Sequence, residues 1–156
     1  MHRRLWTLAL AAALASPAAF SADKPNLTGT WNLNVQKSEF GPSPGPDKFV
    51  RKIEHKDPEL KMTTIQAFQG QERTNDVVYT IDGTEHTVKS GQAEAQITAT
   101  WKGNVLEVKS VRNVQGNEIV AVETWTLAED GKTLSTVSHI KAPMGELDLK
   151  FLFEKE

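Results

Sequence analysis

The stretch that decides the fold of this chain is Leu27-Thr28-Gly29-Thr30-Trp31-Asn32-Leu33-Asn34-Val35. Its odd-numbered positions are apolar or glycine, and its even-numbered positions are all polar. A period of two is typical of a β-strand with one face against a core and the other face in water. Because Gly29 has no side chain, we expect it to let another backbone or ring approach close to Trp31.

The chain after this strand repeats the alternation in short segments that are separated by turn residues. Asp82-Gly83, for example, is a strong hairpin signal. With the opening strand, the pattern predicts about ten strands. The further predicted strands span residues 49–55, 60–68, 76–82, 84–89, 93–102, 105–114, 118–127, 133–140 and 146–153.

The connections between these strands predict an antiparallel barrel. Residues 38–46 contain Pro42, Pro44 and Pro46 with two glycines, which predicts a long rigid loop. No segment after the leader has helical periodicity, and none is a crossover of the length that parallel strands require. A flat meander would expose two edges, so we predict an all-β, antiparallel up-and-down barrel. A two-sheet sandwich is the main alternative.

The N-terminal residues predict export from the cytoplasm. Arg3 and Arg4 precede a short apolar run, and small residues surround Ala19-Phe20-Ser21. This order is typical of a cleaved signal peptide, here residues 1–21, with cleavage after Ala22 as the alternative. The remaining residues 22–156 are long enough for a single domain. We therefore expect a periplasmic or extracellular protein with no membrane span.

Composition narrows the classes of partner. The chain has no cysteine, which excludes disulfides, thiolate metal sites and a lipid anchor on cysteine. Loss of Arg3 and Arg4 with the leader would move the formal net charge from −2 to about −4. Because the charges are scattered singly, we predict no nucleic-acid partner. We expect a monomer that needs no cofactor.

The opening motif resembles a known superfamily. Leu27-Thr28-Gly29-Thr30-Trp31-Asn32-Leu33 is similar to the Gly-x-Trp signature of the calycins, which include the lipocalins and the fatty-acid-binding proteins. The resemblance implies a ligand-binding barrel and is closer to the fatty-acid-binding branch. The chain also resembles small uncharacterised secreted bacterial lipocalin-like proteins that continue with Lys-Ser-x-Phe-Gly-Pro, as residues 37–42 do here.

Two features depart from the calycin pattern. Fatty-acid-binding proteins carry a helix-turn-helix lid between their first two strands, whereas this chain has the Pro/Gly loop at residues 38–46. Lipocalins place a basic residue of the last strand across the motif tryptophan. Lys150 and Lys155 are the candidates for that position here.

Polar residues at inward-facing positions are the candidate ligand-binding residues, because burying a polar group without a partner is costly. An arginine in an apolar barrel would hold the carboxylate of an acyl ligand, and Arg51 is the first candidate. The full set that we predict is Arg51, Tyr79, Trp101, Arg112, Glu123 and Trp125.

Two alternatives stay open for this set. Arg51, Arg112 and Glu123 would touch no ligand if they lay at the barrel mouths, paired or solvated. The orientation of the seventh and eighth strands is also open, and with the opposite orientation of the eighth strand the inward-facing residues, instead of Glu123, would be Val120, Val122, Thr124 and Thr126. We expect Trp31 to be a structural plug at the closed end rather than a ligand contact.

The sequence carries no motif of an enzyme or a metal site. It has no nucleophile elbow, no His-Glu-x-x-His and no phosphate loop. His55, His86 and His139 lie on separate predicted strands, so we expect surface or rim histidines and no bound metal.

Two functions follow from these observations. The first is a secreted barrel that binds an apolar or amphipathic, fatty-acid-like small molecule. The second is a domain with a filled core that acts through protein contacts, as an inhibitor or a structural protein. An interior cavity of roughly 300 Å³ or more would favour the first function.

Overall fold

The computed structural model describes residues 23–156, which form ten antiparallel β-strands and one short 3-10 helix. The predicted signal peptide, residues 1–21, lies outside the described residues. No helix in the described part is long and apolar enough to cross a membrane. The strands are β1 (Gly29–Leu33), β2 (Lys48–Lys56), β3 (Glu59–Phe68), β4 (Gln71–Thr80), β5 (Glu85–Ser90), β6 (Ala93–Lys102), β7 (Val105–Val114), β8 (Asn117–Leu127), β9 (Thr133–Ala142) and β10 (Gly145–Lys155).

The strands form one sheet that curls into a nearly closed barrel. Consecutive strands pair along the chain, and β1 also pairs with β10, so the first and last strands join the two halves. The hydrogen-bonded ladder is open only between β4 and β5. There a side-chain hydrogen bond from Ser90 Oγ to Asn75 Oδ1 bridges the opening. The predicted antiparallel barrel is confirmed.

Trp31 and its neighbours show why the opening motif has this form. Trp31 is completely buried, and its Nε1 donates a hydrogen bond of 2.9 Å to the carbonyl oxygen of Leu27. Lys155 Nζ lies 5.3 Å from the ring centroid, so Lys155 rather than Lys150 crosses the tryptophan. A Cβ on Gly29 would lie 2.5 Å from Lys155 Cε. The group that needs the space beside Gly29 is therefore a lysine stem, and not the backbone or ring that we expected.

The apolar core is supplied by inward-facing residues of the strands, and by Leu27 and Ile81, which lie just outside β1 and β4. Buried or half-buried side chains alternate with exposed ones along parts of the strands, as at the start of β3 and along β5, whereas Phe49, Val50 and Arg51 on β2 are all buried. The buried core residues are Leu27, Trp31, Phe49, Ile53, Leu60, Met62, Ile81, Ile97, Ala99, Leu106, Val108, Trp125, Leu134 and Phe153.

Most strand boundaries differ from the predicted ones by one or two residues, and two of the differences have a clear physical reason. β1 ends at Leu33 because the chain bends into a 3-10 helix, Val35–Lys37, that the Asn34 side chain caps. β4 begins at Gln71, five residues before the predicted start at 76. Residues 71–76 are all exposed, so no hydrophobic pattern marks them, although their backbone continues the ladder with β3.

The Pro/Gly loop at residues 38–46 is tied to both sides of one barrel end. Glu39 and Lys150 exchange backbone hydrogen bonds of 2.6 and 3.0 Å. Asp47 N, immediately after the loop, donates to the carbonyl oxygen of Ala67 at 2.8 Å. The Phe40 ring packs on Phe151, with 5.4 Å between centroids. The loop thus occupies the interval where fatty-acid-binding proteins carry their helical lid.

Candidate functional site

An ion pair crosses the interior of the barrel. Arg51 extends from β2 and Glu123 from β8, and their Nη1 and Oε1 atoms are 3.0 Å apart. The side chains are only 8% and 21% exposed. β2 and β8 are separated in the sheet by β1, β10 and β9, so the pair spans the barrel instead of joining neighbouring strands. Glu123 therefore faces inward, which decides between the two orientations of β8 that the sequence left open.

Aromatic rings surround the guanidinium group of Arg51. Its Cζ lies 4.9 Å from the ring centroids of Trp125 and Phe153, and 5.4 Å from that of Phe49. The negative faces of such rings attract a cation. A charge in this interior is thus stabilised by three ring contacts as well as by Glu123.

Two hydroxyl residues outside the predicted set lie beside this pair. In the ladder between β8 and β9, Thr136 is opposite Trp125 and Ser138 is opposite Glu123. Both are buried. Their inward orientation could have been predicted from the sequence, because they lie two and four residues after the apolar Leu134 on β9.

Three buried polar atoms near the pair retain hydrogen-bonding capacity. Arg51 Nε, Trp125 Nε1 and Thr136 Oγ1 have no hydrogen-bond partner within residues 23–156. Buried polar groups are nearly always partnered by protein or water. Of the three residues, Arg51 lines a cavity, so its Nε is the atom that a polar ligand group would satisfy.

A cavity of about 400 Å³ reaches the ion pair from the barrel end that carries the loop. Its polar lining consists mainly of Arg51, Glu123, Gln66 and Ser138. The apolar lining residues are Phe40, Pro44, Pro46, Phe49, Phe68, Leu147, Leu149 and Phe151. An apolar wall with a few converging polar groups, in a volume of roughly 300–1,000 Å³, is typical of small-molecule sites.

Other concavities contain only part of the predicted set. A second one, of about 330 Å³, lies beside the β4–β5 opening and is lined by Tyr79 and Arg112, with Arg112 itself exposed. A concavity of about 570 Å³ lies on the outer face of β1 to β4, and charged side chains such as Lys52 and Lys61 line it. The outer concavity includes none of the interior polar groups.

Trp101 lies apart from the other predicted residues. Its Nε1 donates to Asp57 Oδ1 at 3.2 Å, and its ring centroid is 5.9 Å from that of His55. His55 lies at the end of β2, and its side chain is only 4% exposed. Its Nδ1 accepts a hydrogen bond from Leu27 N, which holds the start of the chain against β2. Both residues therefore have structural contacts away from the 400 Å³ cavity.

Tyr79 is electrostatically coupled to the ion pair. The pKa of Tyr79 is raised from 10.0 to about 12, mainly by burial and in addition by the negative charge of Glu123, while the positive charge of Arg51 partly opposes the shift. Of the six predicted residues, the structure thus brings Arg51, Glu123, Trp125 and Tyr79 together.

The Tyr79 pKa can be measured directly, because Tyr79 is the only tyrosine of the chain. We expect tyrosinate absorbance to appear with a midpoint of about 12 in the folded protein. Since the folded pKa exceeds the unfolded value, this contribution to stability is complete below pH 10 and is lost as pH rises from 10 towards 12. Glu123→Gln should lower the midpoint, whereas Glu118→Gln on the exposed part of β8 should not. A wild-type midpoint near 10 would contradict the coupling.

Comparisons with known proteins support the fold. No protein-family model matches the sequence, and no curated protein matches it at a significant level. A secretory abundant heat soluble protein from Ramazzottius varieornatus matches with a TM-score of 0.63 at 15% identity, over 85% of this chain and 98% of that one. Zebrafish ileal bile acid-binding protein, in complex with cholic acid, matches with a TM-score of 0.53 at 17% identity, over 83% of this chain and 98% of that one. Human cRBP IV matches with a TM-score of 0.54 at 14% identity, over 85% of this chain and 99% of that one. At these identities the shared feature is the barrel fold.

Proposed function

We propose that this calycin-like barrel is a binding protein for an apolar or amphipathic small molecule, with the hydrocarbon part in the 400 Å³ cavity and the polar part near Arg51. The observation that carries the proposal is the cavity itself, which joins an apolar wall to a charged pair in the interior. Its volume exceeds the roughly 300 Å³ below which we expect a filled core. Bile acid binding by the zebrafish protein of the same fold gives further support.

The loop is consistent with this function. Phe40, Pro44 and Pro46 belong both to the loop and to the cavity wall. The loop is hydrogen-bonded to β10, and the residue after it, Asp47, is hydrogen-bonded to β3. The loop therefore completes the cavity wall where the strands end. The signal peptide predicted at residues 1–21 leads us to propose that binding takes place in the periplasm or outside the cell.

The proposal is tested by titration with a neutral dye that fluoresces in apolar surroundings. We expect saturable binding of one dye per chain. Gln66→Trp places a large ring in the cavity and should weaken binding by about tenfold or more, a change of about 1.4 kcal/mol. Lys61→Trp adds the same ring to the outer face of the same strand and should leave binding unchanged. A folded protein that takes up no dye would contradict the proposal and favour the alternative function through protein contacts.

A further inference from the structure

The charge of Arg51 is already neutralised by the protein. Glu123 lies at hydrogen-bonding distance from it, and three aromatic rings contact the guanidinium group. A ligand carboxylate that approached Arg51 would also approach Glu123, since both residues line the same cavity. Two carboxylates that share one site cannot easily both be ionised. The pair therefore disfavours the anionic ligand that Arg51 alone would attract.

The remaining polar atoms favour a group that both donates and accepts a hydrogen bond. Arg51 Nε is a donor without a partner among the described residues, and Glu123 accepts from Arg51 through Oε1 only, which leaves Oε2 as an acceptor. Ser138 lines the same cavity, and its hydroxyl group can either donate or accept a hydrogen bond. A hydroxyl group can accept from the arginine and donate to the carboxylate at once.

We propose that the ligand is an amphipathic molecule with an uncharged, hydroxyl-bearing polar group, and that Glu123 is the residue that excludes carboxylates from the cavity. This inference rests on the proposed binding function and adds the chemical class of the ligand. It also changes the role expected for Arg51, which acts as a hydrogen-bond donor within an ion pair rather than as a free anchor for a carboxylate.

The test is displacement of the bound neutral dye at neutral pH by dodecanol, dodecanoate and dodecylamine. These probes share one alkyl chain and differ in the polar group. For the wild-type protein we expect dodecanol to bind at least about tenfold more tightly than dodecanoate. Glu123→Gln removes the negative charge and should strengthen dodecanoate binding by about tenfold or more. Glu118→Gln, with the same change of charge on the exposed part of β8, should leave the order unchanged.

A second variant allows the inference to be tested even if the Glu123→Gln protein does not fold. Ser138→Ala should weaken dodecanol binding several-fold more than it weakens dye binding. The inference is overturned if wild-type protein binds dodecanoate or dodecylamine as tightly as dodecanol. Failure to bind the dye at all would instead overturn the proposed function, so the two failures are distinguishable.

Discussion

Arg51→Met is expected to lower the free energy of unfolding by about 3–5 kcal/mol. The substitution leaves the Glu123 carboxylate in the interior without its partner, because Arg51 is the residue that pairs with Glu123 across the barrel. It also removes the cation that contacts Phe49, Trp125 and Phe153. Methionine keeps much of the aliphatic volume, so the loss reports mainly on charge and hydrogen bonding. Urea denaturation followed by circular dichroism gives the value.

A double substitution separates the ion pair from simple packing. Arg51→Met combined with Glu123→Gln removes both charges, and we expect it to recover at least half of the stability lost in Arg51→Met. Lys52→Met is the matched control, because Lys52 is the exposed neighbour of Arg51 on β2, and its effect should stay within about 0.5 kcal/mol. Equal losses of unfolding free energy in Arg51→Met and Lys52→Met would show that the Arg51–Glu123 pair does not stabilise the fold.

Trp31→Ala is expected to destabilise the fold by a similar amount, about 3–5 kcal/mol. Trp31 is completely buried, packs under Lys155 and holds Leu27 through its indole nitrogen. Alanine would leave a large void between β1 and the end of β10. The hydrogen bonds between β1 and β10 hold the two strands in place, so neighbouring side chains can fill only part of the void.

Trp31→Phe distinguishes the volume of the ring from its hydrogen bond. Phenylalanine keeps a buried ring and loses the bond to Leu27 O, so we expect a smaller loss, about 1–3 kcal/mol. Met144→Ala, at a fully exposed position in the last turn, should change stability by less than about 0.5 kcal/mol. The same denaturation measurement applies to all three variants. A Trp31→Ala variant as stable as Met144→Ala would rule out the plug role of Trp31.

The strands were predictable because each carries its own alternating pattern. Residues 93–102 and 105–114 are bounded by turns at Gly91, Gly103 and Gly116, and the predicted and observed boundaries of β6 and β7 coincide. The start of β4 could not be predicted in the same way, since an exposed polar strand end has no apolar face to reveal it. Within the site, Arg51 and Glu123 could be predicted as polar residues among apolar neighbours. Thr136 and Ser138 carried the same signal on β9 and were missed.

By itself, the sequence determined the fold class, the orientation of most side chains and the position of the long loop. These features depend on local alternation and turn residues, which a linear pattern contains. Only the tertiary structure decided that Arg51 faces Glu123, that Lys155 rather than Lys150 covers Trp31, and that Trp101 lies away from the cavity. These contacts join residues far apart in the chain, and they depend on how the sheet curls and closes. The partner of each interior polar group, and hence the chemistry of the cavity, is set by that closure.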